Sequence, residues 1–187
     1  MRAIKWFFAN FHRYLLWLLC SVILWGFVFT LITDAPKARK VVIYADTPSL
    51  MDAELADELG KDLPEGIRLI KVHPFSYAAF DTGAPAEADI YVLSREQAEM
   101  NAGFLSAVPA KDPHDPEFEG RVIGWLIHSD PAGYSAADSF FGYYAQGETV
   151  SLDYVVCFNK NSVHIRSFTG TGDDAAVEIA ERLLLLP

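Results

Sequence analysis

Lys40-Val41-Val42-Ile43-Tyr44-Ala45 (KVVIYA, residues 40–45) decides how the rest of the chain is read. It is short, β-branched and uninterrupted, which is the composition of a buried strand. Asp46-Thr47-Pro48-Ser49 stops it and offers capping oxygens. Leu50 to Leu63 then reads as a helix, with Leu50, Leu55, Leu59 and Leu63 near one face and Asp52, Glu54, Asp57, Glu58 and Lys61 on the other. Pro64-Glu65-Gly66 ends it. Ile67 to Val72 alternates apolar and basic residues as a half-exposed strand does, and Phe75 to Phe80 reads as one helical turn. Asp89 to Leu93 is a third strand, with Ser94 capping a short helix through Met100. Three strand–helix pairs in succession predict an α/β fold, a three-layer domain whose sheet is mostly parallel.

Further on, Lys111 to Glu119 is an acidic, proline-punctuated loop. Val122 to His128 reads as a strand with Gly124 at a close-approach or bulge position. Ser135 to Gln146 reads as a helix, with Phe140, Phe141 and Tyr144 sharing a face. Tyr154 to Phe158 and Ser162 to Ile165 are apolar runs around Asn159-Lys160-Asn161, either a hairpin or a strand, turn and extended segment. Asp174 to Leu185 closes the chain as a helix with Ala176, Ile179, Ala180 and Leu183 inward.

Upstream of residue 40 the chemistry is different. Tyr14 to Ile32 is nineteen residues without a charge. At about 1.5 Å per residue a helix of that length covers roughly 29 Å, close to the hydrocarbon thickness of a bilayer. Trp6, Phe7, Phe8, Phe11 and Tyr14 precede it, as rings do at the headgroup level. The apolar run exceeds a signal h-region, no A-x-A site follows, and Leu19 is too large to precede a lipidated Cys20. A retained anchor is the better reading. Basic residues tie across the span (Arg2, Lys5 and Arg13 against Lys37, Arg39 and Lys40), so the short N-terminal tail decides orientation. It predicts a cytoplasmic or interfacial tail over 1–13, a span over 14–33, a linker over 34–39 and an extracytoplasmic domain over 40–187.

Beyond residue 33, twelve basic residues face twenty-five acidic ones, a net charge of −13. Such a surface repels nucleic acid and anionic headgroups and favours cationic ligands or basic partners. Cys20 in the span and Cys157 in a strand cannot reach each other, and no zinc spacing or disulfide framework exists. Cys157 reads as a small buried hydrophobe.

The opening VVIYADT with its helix, the later ADIYVLS, and GRVIGWLIH together resemble the first lobe of a periplasmic type II extracytoplasmic solute-binding protein. YVVCFNKNSVHI followed by DDAAVEIAERLLLL is similar to that family's returning strand, its Asn-Lys-Asn-Ser turn and the helix completing the lobe. The resemblance implies one membrane-anchored lobe. Family members close two lobes on a ligand like jaws, whereas here about 25 residues between Ile127 and Asp153 stand where a second lobe would be inserted. A single lobe cannot enclose a solute by jaw closure.

Ligands of open α/β sheets lie at the carboxyl ends of strands. Those ends hold Asp46, Thr47 and Ser49, then Phe75, Ser76 and Tyr77, then Ser94 and Arg95. Asp46, Thr47, Ser49, Tyr77, Ser94 and Arg95 are the candidate ligand residues, and capping and turn chemistry explains the same residues. Tyr134, Phe140, Phe141, Tyr143 and Tyr144 are either core or an exposed partner-binding patch.

Asp81-Thr82-Gly83 matches the triplet of aspartic proteases, which with Val122-Ile123-Gly124 gives a membrane-surface hydrolase as a further alternative; a solvent loop explains it as well. Asp112, His114, Asp115, Glu117 and Glu119 fit no calcium loop. His73, His128 and His164 have no paired spacing and read as hydrogen-bonded core or edge residues. Gly170-Thr171-Gly172 lacks a phosphate-binding lysine and leads into Asp173-Asp174, an acidic helix start. No nucleophile–base pair, cofactor or metal set is expected. The resemblance to solute-binding proteins implies a binding or accessory component beside an ABC-type transporter. A structural subunit that binds a protein partner and no small molecule is the alternative.

Overall fold

The computed structural model describes residues 2–46, 51–75, 87–127 and 154–185. Two compact units divide the chain, Met1–Pro36 and Lys37–Pro187. The first is a single helix, α1 (Arg2–Thr33), which starts well before the apolar core. Among the described residues, its segment Phe11–Thr30 is the one helix long and apolar enough to cross a bilayer. Trp17, Ile23, Leu24, Trp25 and Phe29 are all exposed on it.

In the second unit a one-turn 3-10 helix, Lys37–Arg39, leads into β1 (Lys40–Ala45). Next come α2 (Asp52–Gly60), β2 (Leu69–Pro74), β3 (Ile90–Ser94) and α3 (Arg95–Met100). The sheet has the order β2-β1-β3-β7-β6, with β6 at Trp125–Ile127 and β7 at Tyr154–Phe158. β1 pairs in parallel with β2 (Ile43↔Val72) and with β3 (Ile43↔Ile90). β7 is antiparallel to both β3 (Tyr91↔Cys157) and β6 (Trp125↔Val156), so four strands run one way and β7 alone runs back. The mostly parallel α/β sheet expected from the pattern is present.

Side chains alternate across the strands, and both faces are buried. Val41, Ile43, Val92, Val156 and Phe158 face α2 (Leu55, Leu59) and the closing helix α5 (Ala175–Leu185), through Ile179 and Leu183. Tyr91, Leu93, Val155 and Cys157 face Phe75, Ala98, Ala102, Leu105 and Ile123 on the other side. α5 buries Ala176, Ile179, Ala180 and Leu183, the face expected from its spacing.

Several elements differ from the sequence reading. α2 is shorter, and its N-cap is Met51, which makes no side-chain cap bond. The expected strand from Val122 to His128 is broken. Glu117–Phe118 (β4) and Arg121–Val122 (β5) form a small hairpin, and β6 begins only at Trp125. The break is at Gly124, where an added Cβ would lie 2.6 Å from Val155 Cγ1 and 2.7 Å from the Val156 carbonyl. The hairpin turns on Glu119 and Gly120, both at positive φ, the conformation of a tight primed turn. Of the two readings of Ser162 to Ile165, the hairpin fails, since the segment after the turn forms no strand. It leads to a one-turn helix, α4 (Arg166–Thr169), closed by left-handed Gly170. The expected helices over 75–80 and 135–146 fall wholly or largely outside the described residues.

Candidate functional site

β1 connects through α2 toward β2 on one side, while β3 is followed by α3 on the opposite face. The carboxyl ends of β1 and β3 therefore flank the point where the winding reverses, the crevice position of open α/β sheets. Asp46 sits there, its amide bonded to the Val92 carbonyl at 2.8 Å. Its carboxyl is half-buried, and burial raises its pKa above the ordinary value of 3.8. Among the described residues no side chain pairs with it. The end of β2 is held beside it, since the Phe75 amide donates to the Ala45 carbonyl at 2.7 Å. Behind them the Tyr44 and His73 rings stand 5.3 Å apart.

Ser94 and Arg95 lie at the end of β3, and both have structural roles. The Ser94 hydroxyl accepts the Gln97 amide at 3.3 Å as the N-cap of α3. Arg95 Nη2 donates to the His114 carbonyl at 2.7 Å. Of the candidate ligand set, the structure thus brings Asp46, Ser94 and Arg95 to the strand ends. Thr47, Ser49 and Tyr77 lie outside the described residues. So do the aromatic set Tyr134, Phe140, Phe141, Tyr143 and Tyr144, the triplet Asp81-Thr82-Gly83, and His128.

The acidic loop is built around Asp115, which is buried. Its carboxylate accepts the amides of Lys111 (2.8 Å), Asp112 (3.0 Å) and Leu126 (2.8 Å). Among the described residues no group of three His, Cys, Asp or Glu could hold a metal ion. Cys157 is fully buried and burial pushes its thiol up, so it is packed as a hydrophobe. Asp173 and Asp174 cap the segments around them. They accept the amides of Ala175 (3.0 Å) and Ser167 (2.6 Å).

A second polar group, not anticipated as a unit, lies inside the opposite end of the sheet. Asp89, buried ahead of β3, accepts the Val42 amide at 2.9 Å and the Ser162 hydroxyl at 2.6 Å. Burial raises the Asp89 pKa, and these two bonds together with His164 and Lys37 pull against that rise. Asn159 Nδ2 donates to the Ala88 carbonyl at 2.8 Å and approaches the Tyr91 hydroxyl at 3.4 Å. Burial, then the Asp89 charge and Tyr44, push Tyr91 up to about 12 against the Asn159 bond. His164 completes the group. The signal in the sequence was Asn159, Ser162 and His164 in the polar run that follows an apolar strand, with Asp89 opening another apolar strand. No family model, curated protein or solved structure matches the chain, so the functional reading rests on its own geometry.

Proposed function

We propose that this chain is a membrane-anchored, extracytoplasmic domain similar to one lobe of a solute-binding protein, acting as a binding or accessory component beside a transporter. The observation that carries the reading is Asp46: a half-buried carboxyl at the winding reversal of a mostly parallel sheet, with no side-chain partner among the described residues. Two further features support it. β6 and β7 lie side by side with Ile127 opposite Tyr154, the closeness of chain ends that an inserted lobe needs. α1 is apolar enough to serve as the anchor. A carboxylate on a domain of net charge −13 selects solutes that carry an ammonium or guanidinium group.

The test is thermal unfolding of the full chain in detergent micelles, across a panel of amines, basic amino acids, short basic peptides and neutral sugars. A ligand at 100 times its Kd adds about 2.7 kcal/mol, which raises Tm by a few degrees in a domain of this size. The expected result is a shift with a cationic class that Asp46→Asn abolishes. No shift with any class overturns the reading. In that outcome the structural-subunit reading takes its place, which the exposed Met100 and Phe104 favour as a protein-contact patch.

A further inference from the structure

We propose that His164 is a proton-operated latch: doubly protonated, it fastens the leading turn Lys37–Arg39 to the segment ahead of α5, and on losing one proton it lets that turn loosen. The inference goes beyond the proposed function and needs no ligand.

The geometry suits the doubly protonated ring. His164 is fully buried, with Nδ1 2.7 Å from Asp173 Oδ1 and Nε2 3.0 Å from the Lys37 carbonyl oxygen. A carboxylate and a carbonyl are both acceptors, so both bonds can be made only when each ring nitrogen carries a proton. Either neutral tautomer aims a lone pair at one acceptor and leaves a buried polar contact unmade. The charged groups around the ring are few. Asp173 faces it from the start of α5, and Asp89 faces it from the approach to β3, linked through Ser162, whose hydroxyl also accepts the His164 amide at 3.1 Å. The Lys37 ammonium acts on Asp89.

Burial opposes the imidazolium, but the bonds to the Lys37 carbonyl and to Asp173, with the charges of Asp89 and Asp173, raise its pKa above the usual 6.5. A raised value means the latch contributes fully below pH 6.5 and is lost as pH climbs through the native value. What it holds is the first turn of the second unit, next to the linker from α1. Besides the pull of the Lys37 ammonium on Asp89, that turn is held by the Arg68 amide, which donates to the Arg39 carbonyl at 2.8 Å. Lys37 and Arg39 are exposed, so a loosened turn is open to trypsin.

The experiment uses the full chain in micelles with isotope-labelled histidine. The His164 ring is titrated by NMR from about pH 5.5 to 9, a range that brackets the unperturbed imidazole pKa. Tryptic cleavage after Lys37 and Arg39 is followed in parallel, divided at each pH by the rate on an unstructured reference peptide. The proposal expects a midpoint above 6.5, with normalised cleavage rising by up to about tenfold per pH unit across it. Asp173→Asn keeps a cap for the Ala175 amide but removes the charge, so midpoint and cleavage rise should move down together. His164→Gln should flatten the cleavage profile. A midpoint at or below 6.5, or a cleavage profile unmoved by Asp173→Asn, overturns the latch, and that variant decides the matter alone if His164→Gln does not fold.

Discussion

Gly172 shows how one residue can be fixed by what surrounds it. Its φ is +92°, and a Cβ built on it would lie 1.8 Å from the Val163 carbonyl oxygen, inside any permissible contact. The turn that carries Asp173 to His164 therefore depends on a missing methyl as much as on the hydrogen bonds. Gly172→Ala must twist the backbone out of a left-handed conformation and push the 162–165 segment away. The expected loss is on the order of 3 kcal/mol, read as a lower urea midpoint with an unchanged slope. Gly103→Ala is the control. Nothing lies within 4 Å of its Cβ position and its φ is not in the left-handed range, so the midpoint should stay put. The Gly-Thr-Gly spacing was visible in the sequence, but its purpose was not. A close approach between residues nine apart is a tertiary fact.

At the level of elements, the aromatic contact between β6, β7 and α4 ties the sheet edge to the end of the chain. Trp125 meets Phe158 and Phe168 edge-on, at centroid distances of 5.0 and 5.9 Å, and its Nε1 donates to the Pro109 carbonyl at 2.9 Å. Lys111 Nζ lies 3.7 Å over the same ring and 2.7 Å from Glu181 on α5. Trp125→Ala removes the ring from a closed core and should cost about 4 kcal/mol by chemical denaturation, while Trp125→Phe should cost much less. Elements with strong periodicity were legible: β1, β3, β7 and α5 are near their expected positions because apolar spacing and burial agree there. β4 and β5 were not, because two-residue strands carry too little pattern and the Glu119-Gly120 turn lies in a charged run read as loop. The reversed direction of β7 was equally hidden, since a strand buried on both faces reads the same either way. For the candidate site, the strand-end rule picked Asp46, Ser94 and Arg95 alike, and the sequence could not tell which would be engaged, as Ser94 is by the Gln97 amide and Arg95 by the His114 carbonyl.

For the whole molecule, the decisive relation is that between the sheet and residues 128–153. β6 ends at Ile127 and β7 begins at Tyr154, and these two residues face each other in one antiparallel ladder. The chain could pass between them by a two-residue turn without altering a single described strand pairing. A variant with 128–153 replaced by Asn-Gly, the residues a primed turn favours, should therefore unfold cooperatively, with strand content retained by circular dichroism. Its fate in the ligand assay then separates two roles. Retained stabilisation by the cationic ligand, still abolished by Asp46→Asn, would confine recognition to the strand ends of the one lobe. Folding without ligand response would make 128–153 the other wall of the crevice, the part that a full second lobe supplies in two-lobed proteins. Failure to fold would overturn the view that the sheet is complete without the excursion, and 128–153 would then belong to the core.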